Sequence, residues 1–504
     1  MWPSRSATGR RWRPDRRAWC CVGCRPRPSP RPRRHARKDS APPRSTPPLG
    51  SEVIRMRRLA RPVFRSALFA VVLLAVALAP TPVRAQGQQV VVLTSFPKEL
   101  FDAYKAAFER ANPGWTMVVV PKPTSAAITH VRERGARPDV DVFWASAVDA
   151  FIYLKANNLL ERYTPPAELR RGIPEKVAGF PISDSDGFFH GFAVSGYGIM
   201  WNKTYLERHR LPAPREWDDL VKPVYYGHLV ISAPSRSGTT HLTVETILQG
   251  YGWQKGWELL IQMGGNMGAI TERSFGVPEA VIAGHYGLGV VIDFFALSAI
   301  ASGQPIDFVY PSLTSIVPAN VGIIRGGPNP DGARRFVNYL LSDDGQRLLF
   351  RPEIGRLPVR STLYAEAPKG MPNPFKMKAG VQFNADLSAG RYQVTNRMFD
   401  QIITFRYAEL KQAWGAIYRA QQAIDAARQA GRDVTDAERL LRQAVASARH
   451  VHVSERMAAE VSGGMERDAA YRAAKEREWG EVARASYLRA AQLAAQAEET
   501  LRRR

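Results

Sequence analysis

The sequence predicts an α/β protein of two lobes, each an open, mainly parallel sheet flanked by helices, with an α-helical C-terminal extension. Three observations lead there. Short apolar runs alternate with amphipathic helical stretches from residue 88 to about residue 341, the pattern of βαβ units. Residues 192–201 (FAVSGYGIMW) are apolar and glycine-containing, suited to a long strand passing from one lobe to the other. From residue 391 onward the periodicity is helical throughout.

The N-terminal part differs in composition. The formal charge is +24, but residues 1–85 hold 20 of the 70 Lys+Arg and only 3 of the 46 Asp+Glu. The remainder carries 50 basic against 43 acidic residues, about +7, which argues against a nucleic-acid partner. Residues 1–55 are Arg/Pro-rich without hydrophobic periodicity, and are read as a disordered extension or an upstream start-site error at Met56. Residues 56–85 read as a signal peptide cleaved after Ala85: a basic start, then 13 apolar residues, too few to span a bilayer. The expected location is therefore the periplasm. Cys20, Cys21 and Cys24 all lie in the extension, so the body must be stable through its core alone.

Taken in order, residues 88–94 (QQVVVLT) are a buried strand, and Pro97 opens a helix with the face Leu100, Phe101, Tyr104, Ala107 and Phe108. Asn112-Pro113-Gly114 ends it. Residues 115–120 are a strand, 125–134 a helix and 139–144 a third strand before another helix. Ligands of such sheets sit beyond the carboxyl ends of the strands, here around Ser95 and Ser146. After the crossing come helices at 202–210 and 217–220, a strand at 229–231, and a helix at 252–263 closed by a Gly264-Gly265-Asn266 turn. A helix at 278–283 precedes a strand at 287–293. Residues 308–311 and 320–324 look like strands returning to the first lobe, and Pro330 starts a helix with the face Ala333, Phe336, Val337, Leu340 and Leu341. The expected domains are 86–195 with 305–390 (lobe 1), 196–304 (lobe 2) and 391–504 (extension). In the extension, Phe399, Ile402, Ile403, Leu410, Trp414 and Ile417 form a stripe to dock on the body. Thr435 and Glu438 fit a capping box. Gly463-Gly464 is expected to break the helical region before an Ala/Arg/Glu-rich surface helix.

Residues 232–249 (SAPSRSGTTHLTVETILQ) stand out. A strand leads into a Ser/Gly/Thr turn and a helix with Val244, Ile247, Leu248 and Tyr251 on one face. Unpaired amides and the positive end of the helix dipole favour an anion there, although a simple N-cap needs no more than one of these hydroxyls. Ser235, Ser237, Thr239 and Thr240 supply hydroxyls, and Arg236 or Arg273 an arginine fork. Ser95, Ser146, Ser195 and Tyr197 would face them from lobe 1 and the crossing, with Ser274 beside Arg273. Asp293, at a strand end, could take an ammonium or hydroxyl group or cap the next helix.

The first strand ending TSFP, the crossing at Ser195-Gly196-Tyr197 and VPANVGIIRGGPNPDGARRFVNYLLSDDGQRLL together resemble a type II periplasmic solute-binding protein of an ABC importer. GTTHLTVETILQ, GWQKGWELL, ERSFGV, GVVIDFFA and NRMFDQIITFRYAELKQAW are similar to the phosphoglycerate transport regulatory and phosphonate-binding branch, related to ferric-binding proteins. The resemblance covers about 88–420. It implies a non-enzymatic monomer without cofactor or metal, capturing a small phosphorylated or phosphonate anion between two lobes. The partner would be an ABC permease or a sensor kinase. Ferric iron is the alternative ligand, but the ferric relatives place phenolates where this chain has Phe294-Phe295, and Tyr225-Tyr226 precedes the relevant strand. A hydrolase is the third reading; His241 and Glu245 are four apart on a helix, and no G-x-S-x-G elbow is present.

Overall fold

A computed structural model describes residues 88–503; the leader, the Arg/Pro-rich segment and the three cysteines lie outside the described residues. The expected alternation opens the body: β1 (Gln88–Thr94), α1 (Lys98–Ala111), β2 (Trp115–Pro121), α2 (Thr124–Arg134), β3 (Val142–Ala145) and α3 (Val148–Ala156). β1 pairs in parallel with both β2 and β3. Pro97 sits at the N-cap of α1, where its missing N–H is not needed. Short elements β4 (Leu160–Glu161), α4 (Ala167–Arg170), β5 (Lys176–Val177) and β6 (Phe180–Pro181) lead to β7 (His190–Asn202).

β7 is buried along its whole length, as its apolar sequence requires. It belongs to both halves of the molecule. Residues up to Gly196 pair with β12 (Ile316–Ile324), and Tyr197 onward pairs with β10 (Leu288–Ile292). The strand therefore crosses at Ser195-Gly196-Tyr197. Between these partners the chain runs α5 (Lys203–His209), β8 (Leu229–Ser232), α6 (Gly238–Tyr251), α7 (Trp253–Asn266), β9 (Met267–Thr271), α8 (Gly276–Ile282), β10, α9 (Asp293–Ala301) and β11 (Ile306–Val309). β8 is parallel to both β9 and β10. β11 pairs with the far half of β7 and stays with the second half, contrary to the expectation for residues 308–311; β12 makes the return, lying antiparallel to β3. The sheet order is β2-β1-β3-β12-β7-β10-β8-β9. Each end is parallel and the two middle strands are antiparallel, so the strands' carboxyl ends on both sides converge on one cleft.

α10 (Pro330–Leu341) and α11 (Asp343–Arg347) cover the first half, and β13 (Leu357–Pro358) adds to β7. The extension is α12 (Ala385–Gly390), α13 (Tyr392–Phe399), a π turn at Asp400–Thr404, α14 (Tyr407–Gln429), α15 (Thr435–Ala448), α16 (Glu455–Arg467) and α17 (Ala469–Arg503).

Four local expectations fail here. Gly264 and Gly265 do not form a turn; they end the helix α7. A Cβ on Gly265 would lie 2.1 Å from Cδ1 of Trp414, so the glycines exist to let α14 approach. The Thr435–Glu438 capping box is absent. Asp433 takes the Thr435 N–H at 3.0 Å, while Glu438 pairs with Arg428. Gly463 and Gly464 lie inside α16, and the chain breaks at Asp468. Nor is α17 a surface attachment. Its small residues Ala483, Ala490, Ala494 and Ala497 are buried, with Tyr487 donating to the Ile402 carbonyl at 2.8 Å. The docking stripe of the extension behaves as expected, with Phe399, Ile402, Ile403, Leu410, Trp414 and Ile417 all buried.

Candidate functional site

The convergent strand ends enclose a narrow cavity. Its wall from the first half includes Ser95, Phe96, Thr124 and Ser146; its wall from the second half includes Arg236, Ser237, Gly238, Thr239, Arg273, Ser274, Phe294 and Phe295. It leaves ≈ 20 Å³ for the centre of a water molecule, so the two walls are nearly in contact. Ser125 Oγ donates to the Ser235 carbonyl at 2.6 Å across this junction. Ligand entry thus requires the halves to part about β7, the strand they share, and the connection from β11 to β12 that returns to the first half.

Ser237 caps α6 by accepting the Thr240 N–H at 3.1 Å, while its carbonyl takes the His241 amide at 2.9 Å. The Gly238 and Thr239 segment of the first turn lines the cavity, bringing the positive helix end to its wall. Of the two candidate arginines, Arg236 is turned to the exposed Glu272, with Nη1 at 3.4 Å from its Oε1. Arg273 has no carboxylate within 4 Å among the described residues. It stacks on Phe275 at 4.9 Å, and partial burial lowers its pKa. A half-buried cation without a counter-ion, beside a helix N-terminus, makes an electropositive pocket.

Ser95, Ser146, Arg236, Ser237, Thr239, Arg273 and Ser274 are therefore brought together. Ser195, Tyr197, Ser235, Thr240 and Asp293 are not part of that wall. Ser195 and Tyr197 are buried in the crossing strand. Ser235 contributes its carbonyl to the junction, and Thr240 its amide to the cap. Asp293 is fully buried at the start of α9. Its Oδ1 accepts from the Phe294 N–H at 2.8 Å, and Oδ2 from the Gly196 N–H at 2.7 Å and Tyr310 hydroxyl at 3.0 Å. Its oxygens serve the crossing strand and the helix start, which fits the second of its two expected roles, capping the next helix. Burial pushes its pKa up to about 6, against those hydrogen bonds and the field of Arg356.

Arg356 is the residue that sequence reasoning missed. It is 0% exposed, sandwiched between Phe294 (3.8 Å) and Phe96 (4.4 Å), both of which line the cavity. Nη2 donates to Ser146 Oγ at 3.1 Å, whereas Nε and Nη1 have no partner. Burial pulls its pKa down to about 10, with Asp293 acting the other way. The signal available in sequence was weak: an arginine alternating with Pro358 and Arg360 along a short apolar run.

The alternatives meet different geometry. Tyr225 donates to the Pro212 carbonyl at 2.7 Å and Tyr226 to the Lys411 carbonyl at 3.0 Å, so neither phenol reaches the cavity. His241 and Glu245 form buried ties to the extension. His241 Nε2 lies 2.9 Å from Asp149 Oδ2 and 3.1 Å from Ser388 Oγ, and Nδ1 lies 2.8 Å from Asn396 Oδ1. Serine and aspartate share one ring nitrogen, so no Ser–His–Asp relay exists, and the histidine is 0% exposed. Glu245 receives Arg391 through Nε and Nη2 (3.1 and 2.8 Å) and the Thr395 hydroxyl at 2.8 Å. Two wider clefts, ≈ 670 and ≈ 800 Å³, lie on the first half. Both include Asp184, and Lys155 at the first is held by Asp184 and Asp186 at 2.6 and 2.7 Å.

Comparison with known proteins agrees with this architecture. Residues 138–379 match the family model for bacterial extracellular solute-binding proteins. The phosphoglycerate transport regulatory protein PgtC of Salmonella typhimurium is 31% identical over 342 residues, covering 68% of this chain and 83% of that protein. The periplasmic binding protein AfuA from Actinobacillus pleuropneumoniae, solved with fructose-6-phosphate bound, superposes with a TM-score of 0.58 at 19% identity, over 63% of this chain and 99% of its own. Apo ferric ion-binding protein A of Pasteurella haemolytica gives 0.51 at 17% identity, over 62% and 97%. At these identities the two structures speak for the fold alone. With the two-lobed fold, the cleft at the strand ends and a relative of this similarity in hand, the chain belongs to the bacterial extracellular solute-binding proteins.

Proposed function

We propose that this protein captures a small phosphorylated or phosphonate anion between its lobes in the periplasm and delivers it to an ABC permease. One observation carries the reading: Arg273, with no carboxylate partner, meets the Ser237–Thr239 start of α6 in the interlobe cavity. A tetrahedral oxyanion would accept from the first-turn amides, the Ser237, Thr239 and Ser274 hydroxyls and the arginine. Hard Fe(III) would find no phenolate on this wall, since Phe294 and Phe295 stand there. The name of the Salmonella relative supports a phosphoester and also a regulatory role. A sensor kinase reading the closed form is accordingly the second reading. Export with cleavage after Ala85, a monomeric state, and lobes of 86–195 with 305–390 and 196–304, amended so that β11 goes with the second lobe and α12 with the extension, complete the proposal.

A thermal-shift panel of phosphoglycerates, phosphonates, sugar phosphates and Fe(III) tests it. Ligand at 100 times its dissociation constant adds about 2.7 kcal/mol of stability. No shift with any phosphorus compound, together with a coloured iron complex, overturns the reading.

A further inference from the structure

We infer that α12 is a strap across the closed cleft, and that the ion pair it covers, Asp149–His241, positions the lobes for ligand capture: protonated His241 holds them shut, and loss of its proton lets them part. The inference goes beyond the proposed function, which names what the cleft takes and leaves open what closes it.

The pair joins the two lobes beside the ligand cavity. Asp149 stands in the first turn of α3, three residues beyond Ser146 of the cavity wall, and belongs to lobe 1. His241 stands in the first turn of α6, three residues beyond Gly238 of the facing wall, and belongs to lobe 2. His241 Nε2 lies 2.9 Å from Asp149 Oδ2, and both side chains are 0% exposed. Nδ1 faces Asn396 Oδ1 at 2.8 Å. Both ring nitrogens thus meet accepting oxygens, which calls for the doubly protonated imidazolium.

The strap lies over this pair. Asn384 before α12 and Arg391 after it are both tied to α6. The Asn384 amide donates to Gln249 Oε1 at 2.7 Å, and Arg391 Nη2 donates to Glu245 Oε2 at 2.8 Å. Between these ties Ser388 turns to the other lobe and donates to Asp149 Oδ2 at 2.8 Å. α12 therefore travels with lobe 2 and grips lobe 1 at Asp149. Parting of the lobes withdraws Asp149 from both His241 and Ser388.

Of the other groups around the histidine, Glu245 on its own helix is matched by Arg391, which also reaches Glu455. From α13 come Asn396 and the Tyr392 ring at 4.3 Å, and from β7 the Tyr197 hydroxyl, in the field of Asp149. Burial, with the Asp149 charge, keeps both phenols protonated. Among these groups the one that titrates near neutrality is His241. Burial lowers its pKa, but Asp149 outweighs that, so the closed-form value lies above the ordinary one. In the open form the carboxylate is gone and the value falls back. Closure therefore takes up a proton. Its contribution is complete below the open-form value and is lost as pH rises through the closed-form value.

The test is small-angle scattering of the unliganded full chain at pH 6 and pH 9, paired with calorimetric titration of 3-phosphoglycerate under the same conditions. Wild type, Asp149→Asn, His241→Gln and Ser388→Ala are compared, with urea midpoints to confirm that each is folded. The wild-type radius of gyration is expected to grow from pH 6 to pH 9, while Asp149→Asn and His241→Gln show the larger value at both. The wild type should bind the probe about tenfold or more tightly than either variant at pH 6, the scale of one charge-assisted hydrogen bond, and about equally at pH 9. Ionisation of the probe cancels in that ratio. Ser388→Ala leaves the ion pair in place, so it should lose part of the affinity at pH 6 and keep the pH dependence. A wild-type radius that is the same at both pH values, or one that still grows in Asp149→Asn and His241→Gln, overturns the inference and leaves the proposed function standing. Wild-type behaviour of Ser388→Ala overturns the role of α12. Failure of 3-phosphoglycerate to bind, beside the expected scattering, counts against the proposed function alone.

Discussion

Gly238→Ala should wedge the cleft open. A Cβ there would stand 2.7 Å from Ala147 Cβ and 2.7 Å from Thr124 Oγ1, both on the facing lobe. Carbon atoms in good contact are about 3.5–4.0 Å apart, so the surfaces must separate by roughly 1 Å. Ala147 cannot yield by rotating a side chain, since its Cβ is fixed to the backbone. Overpacking of this kind costs about 1–3 kcal/mol. The open form escapes that penalty, so the closed-to-open ratio drops by roughly 5- to 150-fold. Affinity for a ligand that needs the closed form drops with it. The measurement pairs titration of the best phosphorus ligand with small-angle scattering of the unliganded chain. Weaker binding, a larger radius of gyration and an unchanged urea m-value are expected. Gly390→Ala, where a Cβ meets nothing within 4 Å, serves as the control. A dissociation constant within twofold of wild type and identical scattering would refute the reasoning.

Gly265→Ala drives a methyl into Trp414 and should lose about 1–2 kcal/mol in urea unfolding despite alanine's better helix propensity; a gain in stability would show that α14 can shift without penalty. Arg273→Met should weaken ligand binding about tenfold or more while Arg236→Met, already turned to Glu272, changes it less than about twofold; equal effects would contradict the choice of Arg273 over Arg236 as the anion's arginine. Stability should fall as pH rises past neutrality. Burial lowers the His241 pKa, but the Asp149 charge more than offsets it, so the folded value lies above 6.5. That contribution is complete below 6.5 and is lost as pH passes the folded value. Asp293, raised from 3.8 to about 6, has the same sign over a lower window. Urea midpoints of the wild type and His241→Gln, compared from pH 5 to 9, should converge as pH rises; a constant gap would exclude the linkage.

Much of the molecule could be read from pattern because pattern is what its elements are made of. The alternation in β1 to β3, the apolar length of β7 and the 3.6-residue stripe of α10 are local consequences of burial. The start of α6 was legible for the same reason, since hydroxyls and glycine after a buried strand are how a helix end is built. Errors arose where a residue answers to something distant. Gly265 resembles a turn glycine until Trp414 is brought against it. Thr435 loses its capping role because Asp433 accepts its N–H and its hydroxyl, while the Val434 carbonyl takes the Glu438 amide. Arg356 is the extreme case. Arginine is ordinarily exposed, and nothing within its own segment announces that two rings from different parts of the chain will enclose it.

The seating of α14 on α7 has a consequence in time. The face of α7 that carries Gly264 and Gly265 is sealed by Leu410 and Trp414, and Tyr418 bonds Asn266 across 152 positions of sequence. The second lobe's core therefore cannot be completed until the chain has been made well past its last strand. A contact so distant in sequence delays folding until late in synthesis.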